Sequence, residues 1–286
     1  MRTGSLAWRG VLDEARGRLA AAGVGNAGQE AGWLAEAAAG LGSGELASGL
    51  GDEVPAAVAD RMAGLVERRV AGEPLQYVIG RWGFRRLDLA VDPRVLIPRP
   101  ETEVLAELAL AACDRLEARV VVDLGTGSGA LALVLATERD GMQVWATDVS
   151  ADALEVAEAN RAALGAGVNL VEGSWYEALP ADVRGSVDVI VSNPPYVSEA
   201  ELRELGPEVR DWEPAGALCA GPDGLEDVAA IIRGAPEWLA SPGALLVEMG
   251  PHQIGRAAQL AHDAGFGHVD VRTDLAGRER VLEARW

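Results

Sequence analysis

Cysteine and histidine are scarce in this sequence of 286 residues, which contains two cysteines and three histidines. Cys113 and Cys219 lie far apart and do not form the close pair that is found in metal sites. His252, His262 and His268 match no metal-ligand spacing. The sequence therefore predicts no metal site, structural or surface roles for the histidines, and cysteines that are reduced and buried.

Long apolar runs are also missing. No segment approaches the ~20 consecutive apolar residues that a membrane-spanning helix needs. The N-terminal segment MRTGSLAWRGVLDEARGRLAAAG mixes charged residues into an apolar pattern and lacks the continuous apolar stretch of a signal peptide. We therefore expect a soluble, cytoplasmic protein without a membrane partner.

Basic residues are too few to balance the acidic ones. Lys and Arg together number 25 against 44 Asp and Glu, which gives a formal net charge of −19. Such a surface repels phosphate backbones, so we expect no direct binding to nucleic acid. It suits instead a protein partner that carries basic patches.

The chain divides into regions with different patterns. Residues 1–71 predict a small helical bundle, in which a Gly- and Ser-rich loop separates helices around residues 29–39 and 55–70. Residues 72–101 alternate apolar and polar residues with Gly and Pro between them, which predicts a β-hairpin linker and a Pro-rich loop. Residues 102–286 alternate strand-like and helix-like segments, which is typical of an α/β domain.

The α/β region predicts seven strands. The last two are joined only by DLAG, residues 274–277, which is too short for a crossover helix, so we expect this pair to be antiparallel. A mostly parallel seven-stranded sheet with a C-terminal antiparallel strand is the Rossmann-like layout of class I methyltransferases. The predicted strands are Arg119–Leu124, Gln143–Asp148, Asn169–Gly173, Val187–Ser192, Ala244–Met249, His268–Thr273 and Arg278–Ala284, and the predicted helices include Thr102–Leu116, Ala151–Leu164 and Leu225–Leu239.

A glycine-rich turn joins the first of these strands to a helix in VVVDLGTGSGALALVLA. Gly125, Gly127 and Gly129 allow a tight turn and let a ligand approach the helix N-terminus. Asp148 ends the next strand about 20 residues later, where an acid accepts hydrogen bonds from the ribose hydroxyls of an adenosine cofactor. The motif predicts a nucleotide-type cofactor, with a purely structural turn as the alternative, and by itself fits NAD as well as S-adenosylmethionine.

The stretch DVIVSNPPYVS separates those two cofactors. Asn193 follows a strand that we expect next to the strand carrying the glycine turn, so Asn193 emerges at the carboxyl edge of the sheet. Pro194 and Pro195 stiffen the loop and leave its carbonyls free, and Tyr196 offers an aromatic face.

Such a loop suits a planar –NH2 group. The side-chain oxygen of Asn193 and the carbonyl of Pro194 can each accept one N–H and hold the nitrogen in line with a sulfonium methyl group. We therefore predict that Asn193, Pro194 and Tyr196 are catalytic in methyl transfer to nitrogen, a chemistry that excludes a hydride-transferring dehydrogenase. The alternative is a turn that only ends the strand.

Several motifs together resemble one family, the release factor glutamine methyltransferases (the PrmC/HemK family). The resemblance runs from about Glu73 to Val281 and is carried by GEPLQYVIGRWGF, VLIPRPETE, DLGTGSGALAL, VSNPPYV, EVRDWEPAGALCAGPDGL, LLVEMG and DLAGRERV. It implies methyl transfer from S-adenosyl-L-methionine, leaving S-adenosyl-L-homocysteine, to the N5 amide nitrogen of the glutamine in the Gly-Gly-Gln tripeptide of class 1 peptide chain release factors. The N-terminal bundle would dock that protein substrate, and we expect a monomer.

The resemblance also implies roles for single residues. Trp175 would lie against the adenine, and Leu96 would form a wall for the glutamine side chain. Ser174 stands where the family commonly has an acid, which leaves a hydrogen bond to the adenine amino group open. The predicted cofactor-binding residues are Gly125, Thr126, Gly127, Ser128, Gly129, Asp148, Trp175 and Asn193, and the predicted substrate-binding residues are Asn193, Pro194, Pro195, Tyr196 and Leu96.

Some of these positions have purely structural alternatives. Trp175 is otherwise an ordinary core aromatic, and Arg99 and Glu101 either contribute to binding or form a structural ion pair. Asp123 either contacts the methionine end of the cofactor or fixes the glycine turn. We expect Glu213 to shape a loop beyond the site.

Two other functions stay open. One is an N-methyltransferase that acts on another planar amine, in a small metabolite or a nucleobase. The other is a catalytically idle binding protein that keeps the cofactor fold. The acidity of the chain argues against a DNA substrate, and the intact GTGSG and NPPY motifs argue against the idle protein.

Overall fold

The computed structural model describes residues 6–42 and 44–286. The chain forms two compact units. The first ends at Gly80 and also includes Pro207–Trp212, and the second comprises Arg81–Gly206 and Glu213–Trp286.

The first unit is built from helices around their own apolar core. Trp8, Val11, Ala15 and Leu19 recur at helical spacing and are buried on one face of the first helix. Short strands pair antiparallel across the unit. Its elements are β1 (Leu6–Ala7), α1 (Trp8–Ala21), α2 (Ala27–Ala39), β2 (Glu53–Val54), α3 (Ala56–Val70) and α4 (Leu75–Ile79), with a 3₁₀ turn at Glu45–Ser48.

Helix α4 occupies part of the segment that the sequence assigned to the hairpin linker. Leu75 and Val78 pack into the apolar core of the first unit, three residues apart on one face. Arg68 donates to the carbonyls of Tyr77 (3.0 Å) and Val78 (3.2 Å), which satisfies carbonyl groups at the end of the helix. The five residues of α4 are too few for the spacing of their apolar side chains to distinguish a strand from a helix. The hairpin itself is formed by the next residues, as β3 (Arg81–Phe84) and β4 (Leu87–Ala90), paired antiparallel.

The second unit contains a seven-stranded sheet, as predicted. Its strand order is β10-β11-β9-β8-β5-β6-β7, and all neighbours are parallel except that β11 runs antiparallel to both β9 and β10. Strand β8, which ends just before Asn193, pairs directly with β5, the strand that leads into the glycine turn, so the predicted pairing of these two strands is confirmed. The strands are β5 (Val120–Leu124), β6 (Gln143–Asp148), β7 (Val168–Glu172), β8 (Val187–Ser192), β9 (Leu239–Glu248), β10 (His268–Thr273) and β11 (Glu279–Arg285).

Helices cover both faces of this sheet because its central strands are apolar on both sides. Val121 packs into the core under α5 and α6, whereas the next residue, Val122, packs into the opposite core under α10 and α11. The helices are α5 (Pro100–Leu116), α6 (Ala130–Glu138), α7 (Ala151–Leu164), α8 (Glu199–Leu202), α9 (Pro207–Arg210, within the first unit), α10 (Glu226–Trp238) and α11 (Ile254–Asp263), with 3₁₀ turns at Trp175–Ala178, Ala181–Val183, Ala215–Ala217 and Pro251–Gln253.

Strand β9 departs most from its predicted boundaries. It begins at Leu239, well before the predicted start at Ala244. Pro242 and Gly243 are turn signals in the sequence, but an irregularity in the pairing of β8 with β9 accommodates them within the strand. Each of the other predicted strands lies within one residue of its observed bounds.

Neither cysteine is paired: Cys113 is buried, while Cys219 is only partly buried. Burial raises the pKa of the Cys113 thiol to about 12, which makes it unreactive. Among the residues that the structure describes, no helix is both long and apolar enough to cross a membrane.

Candidate active site

The glycine turn lies at the carboxyl edge of the sheet, between β5 and α6. Gly125, Gly127 and Gly129 have φ values of 72°, 56° and 85°, which residues with a Cβ rarely adopt. The backbone N–H groups of Gly125 and Thr126 each donate to the carbonyl of Thr147 over 2.9 Å, so the turn is tied to the neighbouring strand. A ligand can therefore approach the turn without obstruction from side chains at these positions.

Asp148 ends β6 and faces the same turn. One carboxylate oxygen accepts from the backbone of Gly127 (2.8 Å) and the other from the backbone of Ser150 (2.9 Å). Burial raises the pKa of Asp148 above its ordinary value, and the backbone hydrogen bonds oppose that effect. Each oxygen has a further lone pair, so this fixed carboxylate can still accept hydrogen bonds from a pair of ribose hydroxyls.

Asp123 stabilises the turn from beneath. Its side chain is fully buried, and one oxygen accepts from the Thr126 hydroxyl (2.6 Å) and the Ala132 backbone (3.2 Å). Burial raises the pKa of Asp123 to about 7. These contacts are those of the second alternative that the sequence offered, in which Asp123 fixes the glycine turn.

A cavity of about 410 Å³ lies beside the turn, within the second unit. This volume is in the range that small-molecule sites occupy. Ser174, where the family pattern has an acid, also faces it. Of the predicted site residues, those that line the cavity are Leu96, Gly125, Thr126, Gly127, Ser128, Asp148, Trp175, Asn193 and Pro195.

Asn193 directly follows β8, and its side chain lines this cavity. Its Nδ2 donates to the hydroxyl of Thr102 over 3.1 Å. Its Oδ1 is shielded from solvent and has no hydrogen-bond partner within the described parts of the chain. An unpartnered buried oxygen is costly, so this atom is a candidate acceptor for a substrate N–H.

Three predicted site residues lie outside the lining of the cavity. Pro194 is buried, and Gly129 faces Leu133, whose Cδ1 would be 3.0 Å from a Cβ at position 129. Tyr196 packs against the core under α10 and α11, and its carbonyl accepts from the side chain of Gln253 (2.8 Å). Burial raises the pKa of the Tyr196 hydroxyl to about 12, so it stays protonated.

Trp175 lies between the core and the cavity. It packs against the core under α10 and α11 and also lines the cavity. Its ring lies against the glycine turn, because a Cβ at Gly125 would be 3.1 Å from Cζ3 of the indole. Trp175 itself has a φ of 45°, which is unusual for a residue with a side chain.

The loop before α5 is held by ion pairs that the sequence did not specify. Arg99 and Glu101 do not pair with each other: Arg99 pairs with Glu213, and Glu101 pairs with Arg278 over 2.9 Å. Glu213 also accepts from the backbone of Ile97 (3.4 Å), so it shapes this loop, in agreement with the structural role expected for it. Burial raises the pKa of the Glu213 carboxyl, and Arg99 opposes this shift.

Sequence reasoning assigned no individual role to Thr102 or to Glu248. Thr102 lines the cavity and bonds Asn193, and Glu248 lies at the end of β9, next to β8, with only 1% of its surface exposed. The signal for Glu248 was present, since an acid that ends the apolar run ALLVE reaches the carboxyl edge of the sheet. Within the described chain, no group of three His, Cys, Asp or Glu side chains could hold a metal ion.

Family comparisons agree with the resemblance seen in the sequence. A model of the PrmC N-terminal domain matches residues 10–80, and a model of the methyltransferase small domain matches residues 101–205. A release factor glutamine methyltransferase from Geobacter sulfurreducens is 42% identical over 97% of this chain and 96% of its own length. Another from Bordetella pertussis is 46% identical over 76% of this chain and 79% of its own length.

A solved structure supports the fold alone. A methyltransferase from Pyrococcus furiosus is 17% identical, covers 79% of this chain and 98% of its own, and superposes with a TM-score of 0.51. The two relatives are similar enough, over enough of both chains, to decide the family. The chain belongs to the release factor glutamine methyltransferase family.

Proposed function

We propose that the protein transfers a methyl group from S-adenosyl-L-methionine to the N5 side-chain nitrogen of the glutamine in the Gly-Gly-Gln tripeptide of class 1 peptide chain release factors. The observation that carries the proposal is the unpartnered Oδ1 of Asn193 at a cavity that also contains the glycine turn and Asp148. The names of the two relatives support release factors as the substrate.

The residues around the cavity fit this cofactor. Asp148 would accept hydrogen bonds from the ribose hydroxyls, and Trp175 would contact the adenine. The backbone from Gly125 to Gly129 would lie against the rest of the cofactor. When bound, S-adenosyl-L-methionine supplies an electrophilic methyl group on a positively charged sulfur. Since Asp148 is anchored by two backbone N–H groups, the chain offers a rigid site for the adenosine end.

Asn193 and its loop would orient the glutamine amide. Oδ1 of Asn193 accepts one N–H and the carbonyl of Pro194 accepts the other, which directs the lone pair of the nitrogen away from both acceptors. Leu96 lines the cavity and would contact the aliphatic part of the glutamine, while Pro195 stiffens the loop and Gln253 donates to the carbonyl of Tyr196. An amide nitrogen is a poor nucleophile, so orientation supplies a large part of the rate enhancement.

These acceptors also favour the transition state over the bound substrate. As the nitrogen becomes pyramidal it gains positive charge, and its two hydrogen bonds to neutral oxygens strengthen. The nitrogen can lose its proton after the methyl group has arrived, so no general base is required beforehand.

The first unit would dock the release factor, in keeping with the match to the PrmC N-terminal domain. The net charge of −19 suits a partner with basic patches. A monomer, a cytoplasmic location and the absence of direct nucleic-acid binding stay predictions from the sequence.

Labelled S-adenosyl-L-methionine and a purified class 1 release factor test the proposal. We expect label on the intact factor and none on a factor whose Gly-Gly-Gln glutamine is replaced by alanine. Equal labelling of both factors would contradict the assignment of the target residue. Absence of label from the intact factor would contradict the proposed substrate.

A further inference from the structure

The side-chain amide of Asn193 has two chemically different ends, and the proposed function needs the oxygen to face the substrate. An oxygen in that position accepts a substrate N–H, whereas an NH2 group there would repel it. In the structure Nδ2 donates a hydrogen bond to the Thr102 hydroxyl, and Oδ1 has no hydrogen-bond partner in the described chain. Rotation of the amide by about 180° would exchange the two ends, so something must hold one orientation.

The Thr102 hydroxyl supplies that constraint through its single proton. Its oxygen accepts from Nδ2 of Asn193 over 3.1 Å, and a hydrogen bond from Thr102 lowers the pKa of the Glu248 carboxyl, which indicates that the Thr102 proton is directed to that carboxylate. Thr102 and Glu248 are both buried, at 4% and 1% exposure, so water does not compete effectively for these groups. The hydrogen bonds therefore run in one direction, from Asn193 to Thr102 to Glu248.

An ionised Glu248 keeps this direction because a carboxylate can only accept. A protonated Glu248 can donate to Thr102 instead, which frees the Thr102 proton for Oδ1 of Asn193 and allows the amide to turn over. The charged groups that act on Glu248 are Arg280, from the adjacent strand β11, Glu101, from the first turn of α5, and Arg99, which precedes α5. Tyr196, on the Asn193 loop, is also within its electrostatic reach.

We propose that Thr102 and Glu248 are positioning residues that hold the Asn193 amide with its oxygen toward the glutamine nitrogen. This inference rests on the proposed function, because it assumes a substrate with two N–H donors. Neither residue takes part in the transfer itself. Their role is to exclude the orientation of Asn193 that would reject the substrate.

The network makes the rate depend on pH. Burial raises the pKa of Glu248 to about 7, while the hydrogen bond from Thr102 and the charge of Arg280 oppose the shift. The fraction of molecules with an ionised Glu248 therefore grows as the pH rises through neutrality. We expect kcat to fall on the acidic side of about pH 7.

A set of matched variants tests the proposal: Thr102→Val removes the hydroxyl at nearly constant volume, Thr102→Ser keeps it, and Glu248→Gln removes the charge. Methylation of a class 1 release factor is measured between pH 6 and 9, with S-adenosyl-L-homocysteine binding followed by calorimetry. Losing one buried hydrogen bond should lower kcat of Thr102→Val about tenfold. The affinity of Thr102→Val for S-adenosyl-L-homocysteine should stay unchanged. Thr102→Ser should restore most of kcat. In Glu248→Gln, the rate should no longer fall on the acidic side.

Different results would overturn the proposal. Wild-type kcat in Thr102→Val would do so. So would a Thr102→Ser variant as slow as Thr102→Val, because packing rather than the hydroxyl would then matter. An acidic fall in rate that persists in Glu248→Gln would exclude Glu248 as its cause.

A second measurement does not require activity. The sequence contains four asparagines, so a protein with ¹⁵N-labelled asparagine gives few side-chain NH2 signals, and Asn193→Asp identifies those of Asn193. With S-adenosyl-L-homocysteine present, these protons should exchange slowly with solvent in the wild type and faster in Thr102→Val. Unchanged exchange would contradict the network. If the wild type methylates no release factor, the proposed function fails, whereas this measurement still decides how Asn193 is held.

Discussion

At the scale of single residues, Asn193 is central to the proposed function. Its oxygen is the unpartnered acceptor at the cavity, and its amide nitrogen is bonded to Thr102. Motifs confined to one loop, such as the glycine turn and the residues after β8, could be predicted from the sequence because all their residues are close together in the chain. The hydrogen bond between Thr102 and Asn193 could not, since these residues come from distant segments that only the folded chain brings together.

Replacement of Asn193 by alanine should separate catalysis from cofactor binding. We expect Asn193→Ala to lower kcat by about a hundredfold or more, because the transition state loses an oriented acceptor. Binding of S-adenosyl-L-homocysteine, measured by calorimetry, should change little. Asn169→Ala is a suitable control, since Asn169 is exposed on β7 and donates to the Val144 carbonyl. A loss confined to cofactor affinity would refute the role assigned to Asn193.

At the scale of secondary structure, connection lengths and apolar runs predicted the positions of most strands, the antiparallel pairing of the last two and the pairing of β8 with β5. The prediction misjudged elements where the local signal was ambiguous. The residues of α4 form too short an apolar run to show a period, and β9 absorbs Pro242 and Gly243 in an irregularity. Both differences arise from packing against other segments, which a local pattern does not contain.

Gly129, where the glycine turn meets α6, is expected to be important for stability. Gly129 has a φ of 85°, and a Cβ there would lie 3.0 Å from Leu133 and 3.4 Å from Ala157. We expect Gly129→Ala to lower the free energy of unfolding by about 1–2 kcal/mol, through backbone strain and crowding. Urea unfolding measures the change.

Gly255 provides the matched control for that measurement. It lies in α11, and a Cβ there would meet nothing within 4 Å. Gly255→Ala should leave the stability unchanged or raise it by up to about 1 kcal/mol, because alanine favours helix. Equal effects of the two substitutions would show that the turn does not require glycine.

At the scale of the whole molecule, the fold could be predicted because strand and helix signals alternate regularly along the α/β region. Several carboxyl groups of this acidic chain are buried. Glu248 and Asp123 are both buried, and burial raises the pKa of each to about 7. In the folded protein both groups therefore hold their protons to a higher pH than in the unfolded chain.

This difference predicts that these groups lower the stability as the pH rises. Below the ordinary pKa of a carboxyl both states are protonated, and between about pH 4.5 and 7 the unfolded chain loses its protons first. The contribution of Glu248 to the free energy of unfolding should therefore fall by up to about 3 kcal/mol across that range. Glu248→Gln should abolish this part of the pH dependence, so its stability relative to the wild type should be higher at pH 8 than at pH 5. Urea unfolding at the two pH values measures it, and an unchanged difference would show that Glu248 does not titrate in this way.

Tandem mass spectrometry of a release factor after incubation with the protein and S-adenosyl-L-methionine tests the central claim most directly. We predict a single methyl group on the side-chain nitrogen of the Gly-Gly-Gln glutamine, and none when Asn193→Ala replaces the wild type. A methyl group on any other residue, or the same modification by Asn193→Ala, would contradict the account.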